Sequence, residues 1–138
     1  MANIPFIVWK DEYEVGHPEL DAHHQRLIKI INALYDAAMT GAAEEQVDET
    51  MKELDAYAGL HFRAEEEALE AVGYPHLSDQ QSAHQAYART LDGMKHSRFL
   101  PSGGLSQEIL QFLKSWRLDH ILKMDKEYGA FLKGEPRM

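Results

Sequence analysis

The chain has 138 residues, 44% hydrophobic and 27% charged, enough for one packed core beneath a polar surface. A formal net charge of -9 with no Lys/Arg cluster argues against nucleic acid or an anionic membrane as partner. The absence of cysteine excludes disulfides, thiolate metal sites, iron–sulfur clusters and cysteine nucleophiles.

No apolar run approaches the ~18 residues needed to span a bilayer. Residues Met1 to Lys10 lack a basic stretch followed by a long apolar one, so a cytoplasmic location is expected. A single domain is expected over 1–138, with an extended arm at 1–20 and a helical bundle at 21–132. In the arm, Phe6, Val8, Trp9, Tyr13 and Val15 are spaced irregularly, and Gly16 and Pro18 interrupt any helix. The arm is expected to lay aromatics across one face of the bundle.

The first helix is predicted from Asp21, as N-cap, to Met39, with Leu27, Ile28, Ile31, Leu34 and Tyr35 on one face and Gly41 at the exit. The second runs from Glu44 to Val72. Its stripe is Val47, Met51, Leu54, Ala58, His61, Glu65, Leu69 and Val72, and Gly73-Tyr74-Pro75 ends it. The third runs from Ser78, as N-cap, to Ser97, with Gln80, His84, Tyr87, Leu91 and Met94 in line. After Pro101-Ser102-Gly103-Gly104, the fourth runs from Leu105 to Leu132, with Ile109, Leu113, Trp116, His120 and Met124 in line. Four amphipathic helices joined by short breaks predict an all-α, antiparallel, up-down-up-down four-helix bundle.

The stripes carry residues that do not belong in an apolar core. His61, His84 and His120 lie on the inner faces of three helices, Glu65 sits one turn after His61, and His24 lies one turn before Ile28. Asp125 follows His120 by five residues, about 140° further round a regular α-helix, and so approaches the centre from the flank. Buried imidazoles and carboxylates are costly unless paired or bound to metal. Four histidines and two carboxylates on all four inner faces are met together by a metal cluster, with ligands His24, His61, Glu65, His84, His120 and Asp125. Magnesium and calcium prefer all-oxygen shells, and a closed zinc site does not need so many ligands. Two iron ions suit nitrogen donors with two carboxylates able to bridge. A ferritin-like site needs Glu-x-x-His pairs on helices; Glu14 to His17 contains Gly16 and lies in the arm. No His-Glu-x-x-His zinc-protease motif is present.

In these motifs the chain resembles the bacterial hemerythrins over nearly its whole length. Trp9, Val15-Gly16 and Leu20-Asp21-Ala22-His23-His24 match the family's arm and first-helix motif. His61-Phe62-Arg63-Ala64-Glu65-Glu66 matches the second-helix motif, Tyr74-Pro75 precedes the third helix, and Trp116-Arg117-Leu118-Asp119-His120-Ile121 through Asp125 matches the fourth. The resemblance implies a non-haem diiron centre bridged by Glu65, Asp125 and a solvent-derived oxygen. It implies that His24 and His61 serve one iron, which has an open position for dioxygen, and that His84 and His120 serve the other.

One position departs from the family pattern. Helix three reads Gln80-Gln81-Ser82-Ala83-His84 where the family has His-x-x-x-His. A glutamine offers only a neutral carbonyl oxygen, so Gln80 ligates weakly, hydrogen-bonds a ligating water, or turns away. In the last two cases the second iron gains an exchangeable position. His76, one turn earlier, is expected at the surface; His17, His23 and His96 are expected at the surface or outside the ligand set. Trp116 and Tyr87 are expected to pack the core, and Glu66 and Glu67 to form a solvated face.

The leading expectation is a dioxygen-binding protein (carrier, store or sensor module) rather than an enzyme. It would act as a monomer, with dioxygen or a similar diatomic as ligand, an unidentified reductant, and a dry apolar pocket beside the iron. A peroxide- or nitric-oxide-reactive diiron enzyme, owing to Gln80, is the alternative. A domain that has lost the metal is the third.

Overall fold

The computed structural model describes residues 6–41, 44–97 and 107–132. Four helices form the bundle: α1 (Pro18–Met39), α2 (Glu44–Ala71), α3 (Leu77–Ser97) and α4 (Gln107–His120). A π-helical stretch, Ile121–Asp125, carries α4 into a final segment, α5 (Lys126–Leu132). Each helix touches the next, and α4 closes on α1. Among the described residues no helix is long and apolar enough to cross a membrane. The predicted break at 101–104, Leu105 and the side chain of His96 lie outside the described residues.

The ends of the helices follow local chemistry and correct the sequence boundaries. α1 begins three residues before Asp21. Pro18 does not interrupt it; its fixed φ and missing N–H suit the first turn of a helix. His17 is the N-cap, with Nδ1 accepting from the Leu20 N–H at 3.2 Å. Asp21, freed from capping, fastens the arm by accepting from the Val15 N–H at 2.7 Å and the Gly16 N–H at 3.2 Å. Gly16 turns the chain there with φ 84°, a value that side-chain-bearing residues rarely adopt.

α2 ends in a Schellman motif. The Gly73 N–H bonds to the Glu70 carbonyl and the Tyr74 N–H to the Leu69 carbonyl, with Gly73 at φ 67°. Tyr74 folds back into the same apolar cluster as Leu69. Val72, assigned to the inner stripe by spacing, falls at the cap and is 48% exposed. α3 starts at Leu77, so Ser78 is inside its first turn rather than its cap.

The arm is held at two further points. The Asn32 side chain pairs both ways with the Ile7 backbone, at 2.7 and 2.9 Å. Phe6 stacks on Tyr35 with ring centroids 4.2 Å apart.

The buried apolar residues fall into two clusters. The larger holds Leu27, Ile28 and Ile31 of α1, Leu54 and Ala58 of α2, Tyr87 and Leu91 of α3, and Ile109 and Leu113 of α4. The smaller holds Val15, Leu20, Leu69, Tyr74 and Tyr128. A polar layer lies between them in sequence register on α1, on α2 and from α4 to α5: His24 falls between Leu20 and Leu27, His61 and Glu65 between Ala58 and Leu69, and His120 and Asp125 between Leu113 and Tyr128.

Candidate metal centre

The polar layer is almost sealed from solvent. His24, His61, Glu65 and Asp125 are 0% exposed, Gln80 1%, His84 4% and His120 5%. All six residues expected from the sequence as ligands come together here, and Gln80 with them.

The two carboxylates face both halves of the layer. Glu65 Oε2 lies 3.4 Å from His24 Nε2 and 3.2 Å from His61 Nε2. Its other oxygen, Oε1, lies 2.9 Å from His84 Nε2 and 3.9 Å from His120 Nε2. Asp125 Oδ2 lies 3.2 Å from His24 Nε2, and Oδ1 lies 3.1 Å from His120 Nε2. Two compact ligand groups result, His24–His61–Glu65 and Glu65–His84–His120, in each of which the donor atoms lie within 4.8 Å of one another. They share Glu65, whose two carboxylate oxygens face one group each.

Asp125 does not reach this layer from the flank, as a regular helix would require. The π-helical stretch brings it round: the Lys126 N–H bonds to the Ile121 carbonyl, five residues back. The wider turn places residue 125 beneath residue 120. Such single π turns recur at functional sites.

Several near contacts are too poorly aligned to be hydrogen bonds. His61 Nε2, His120 Nε2, Asp125 Oδ2 and Gln80 Oε1 are buried and have no hydrogen-bond partner. Buried polar atoms are seldom left so. Lone pairs that converge without bonding one another are what a cation shared among them requires.

The charges of the layer fit the same reading. Burial opposes ionisation of Glu65, but His61, His120 and His24 hold it well below the usual carboxylate range. Burial and the Glu65 charge oppose ionisation of Asp125, yet His120 and His24 bring it down to about 2. Burial disfavours the His120 imidazolium, but Asp125 and Glu65 outweigh it and raise the ring to about 9. His24 is raised as well, against burial, by Asp125 and Glu65. His61 goes the other way: burial prevails over Glu65 and pushes it to about 4, with His24 and Arg117 adding to the fall. Two rings that favour a proton thus face two carboxylates that favour losing one, and metal cations compete directly with those protons.

Around the layer, a further shell orients the ligands. Glu66 is not simply a solvated acid: its Oε2 lies 2.7 Å from His84 Nδ1, which leaves His84 Nε2 turned to the centre. His23, half-buried, places Nδ1 3.2 Å from His61 Nδ1. Tyr128, which the sequence reading missed, donates its hydroxyl to Glu65 Oε2 at 2.7 Å. Burial and the Asp125 and Glu65 charges push its pKa well up, so it keeps that proton. Gln80 does not turn away; its amide Nε2 donates to Asp125 Oδ1 at 3.1 Å. His76 is outside, 44% exposed, beside Asp79 and Glu127 at 3.5 and 3.6 Å.

The interior above the layer is not wholly apolar. The buried residue of α4 between Leu113 and His120 is Arg117, 2% exposed, while Trp116 and Met124 are only half-buried. Trp116 stacks on the His120 ring at 4.4 Å, and Phe62 on His84 at 4.0 Å.

A family profile described as the hemerythrin HHE cation binding domain matches residues 15–132. The chain belongs to the hemerythrin family. It is 31% identical over 125 residues to a bacteriohemerythrin of Clostridium acetobutylicum, covering 88% of this chain and 97% of that one. A bacteriohemerythrin of Stenotrophomonas maltophilia is 29% identical, with 92% and 82% covered. A hemerythrin-like protein of Naegleria gruberi is 28% identical, with 90% and 92% covered. A crystal structure of hemerythrin superposes with a TM-score of 0.80 at 24% identity, covering 91% of this chain and 96% of that one, which bears on the fold alone. Membership in this family implies a metal-binding centre for iron, and the clustered histidines and carboxylates give this chain a place for it among the described residues.

Proposed function

We propose that this hemerythrin holds two non-haem iron ions and binds dioxygen, as a carrier, a store or a sensing module. The observation that carries the reading is the pair of ligand groups sharing Glu65, with Asp125 spanning the same gap. His24 and His61 would hold one iron and His84 and His120 the other. Glu65 and Asp125, whose oxygens face both pairs of rings, would help to hold both. The iron pair, when bound, supplies the electrons and the open coordination position that dioxygen binding needs.

The chain's own residues do the rest. Burial of the whole layer between two apolar clusters excludes the bulk water that would hasten loss of the ligand. Tyr128 and Glu66 fix the orientation of Glu65 and His84, so the centre is set before metal arrives. Dioxygen or a similar diatomic is the partner this site suits, with a separate reductant to return the iron to the ferrous state.

Gln80 supports a second reading. It stays in the centre with a buried, unpartnered carbonyl oxygen, a weaker donor than the imidazole of the family pattern. An exchangeable position on the iron of His84 and His120 would favour turnover of peroxide or nitric oxide. Air exposure of protein loaded anaerobically with ferrous iron separates the two. Oxygen carriage gives a new absorption that vanishes when oxygen is removed. Iron-loaded protein that oxidises at once, without a reversible spectral change, would overturn carriage in favour of turnover.

A further inference from the structure

Among the described residues, Arg117 is a buried cation that the metal centre does not use. Arg117 is 2% exposed, and its Nε and Nη1 are buried with no hydrogen-bond partner. A guanidinium is always charged, and burying it without a counter-charge is unfavourable. Among the described residues no carboxylate forms an ion pair with it. The two carboxylates of the centre face the histidines instead.

Its position is specific. Arg117 precedes His120 by three residues on the same inward stripe, about 4.5 Å of helical rise from the ligand layer. Two rings hold the guanidinium: Cζ lies 5.0 Å from the Trp116 centroid and 5.9 Å from that of Phe62. These are the rings that stack on His120 and His84. Cation–π contact offsets part of the lost hydration but leaves the N–H groups of Nε and Nη1 unmet. A water would satisfy those N–H groups but not the charge; a small anion satisfies both.

We propose that Arg117 makes the interior beside the metal centre a receptor for a small oxyanion of nitrite size, held by its Nε–H and Nη1–H. Besides the dioxygen of the proposed function, the chain then takes a second ligand that carries negative charge, and Arg117 is the residue that selects it. For the anion's second contact, the metal of His24 and His61, the inference rests on the diiron reading; for the first it rests on Arg117 alone.

Nitrite is the probe. In metal-free protein labelled at arginine with nitrogen-15, nitrite should shift the Arg117 Nε–H resonance saturably. In oxidised protein of verified iron content, Arg117→Leu should weaken nitrite about tenfold or more, the scale of one lost charge-assisted hydrogen bond. Arg117→Lys, which keeps the charge without the fork, should retain part of the affinity. No saturable shift, with affinities of native and variants within twofold of one another, overturns the proposal. Should Arg117→Leu fail to fold, the lysine variant and the native resonance decide. A failure to bind iron at all counts against the diiron reading only, because the metal-free titration does not depend on it.

Discussion

Removing the Tyr128 hydroxyl isolates one contact on which the site geometry depends. Tyr128 and Glu65 are both 0% exposed, and the hydroxyl donates to Glu65 Oε2 at 2.7 Å. Tyr128→Phe keeps the ring and opens no sizeable cavity, so the lost interaction dominates. A buried hydrogen bond to a charged acceptor contributes about 1.5–3 kcal/mol. For a chain of 138 residues the unfolding entropy is about 0.3 kcal/mol per kelvin, so the melting temperature of metal-free protein should fall by about 5–10 °C. Thermal unfolding followed by circular dichroism measures it. The same change frees Glu65 Oε2 to rotate, and iron affinity should fall about 10-fold to 100-fold, as when other groups that orient a metal ligand are lost. Melting temperatures within 2 °C and equal iron affinities would refute the claim that this hydroxyl orients the shared carboxylate.

Other perturbations have signs fixed by the same geometry. Gln80→His should lengthen the life of the dioxygen-loaded protein and slow loss of iron to a chelator, because imidazole supplies the stronger donor; equal rates in side-by-side stopped-flow and chelation assays would show that Gln80 already serves as well. In metal-free protein, His120 is raised to about 9 from 6.5, so the stability it contributes is complete below about pH 6.5 and lost as pH rises through 9. Urea unfolding should therefore weaken from pH 7 to pH 9.5 by on the order of 2–3 kcal/mol, and a flat profile would contradict the Asp125–His120 contact. Gly129→Ala should destabilise the protein by at least about 1 kcal/mol, since a Cβ there would meet the Val15 carbonyl oxygen at 2.6 Å; chemical denaturation tests it, and an unchanged midpoint would show that the arm shifts freely.

The buried polar layer was legible because imidazole and carboxylate at apolar helical positions have no cheap bland explanation. His24, His61, Glu65, His84 and His120 each stand where three-and-four spacing demands a leucine, and each is buried. Asp125 was legible too, but from spacing alone it was expected to reach the centre from the flank. Regular helical geometry puts it well round the helix from His120, and a π turn is a local adjustment that residue spacing does not announce. The same shift hid Tyr128, three residues further on. Arg117 was passed over for another reason. An arginine next to a tryptophan reads as the solvent side, and only the packed bundle shows Trp116 at the margin and Arg117 inside. Spacing alone misplaces the start of α1, because Pro18 reads as a breaker where its position makes it an initiator.

The central claim is two irons in one polar layer, and the iron content of folded protein tests it most directly. Protein reconstituted anaerobically with excess ferrous iron and then desalted should retain about two irons per chain by metal analysis, with Glu65→Ala and Asp125→Ala each well below that. Native protein that stays folded yet retains one iron or none would contradict the account.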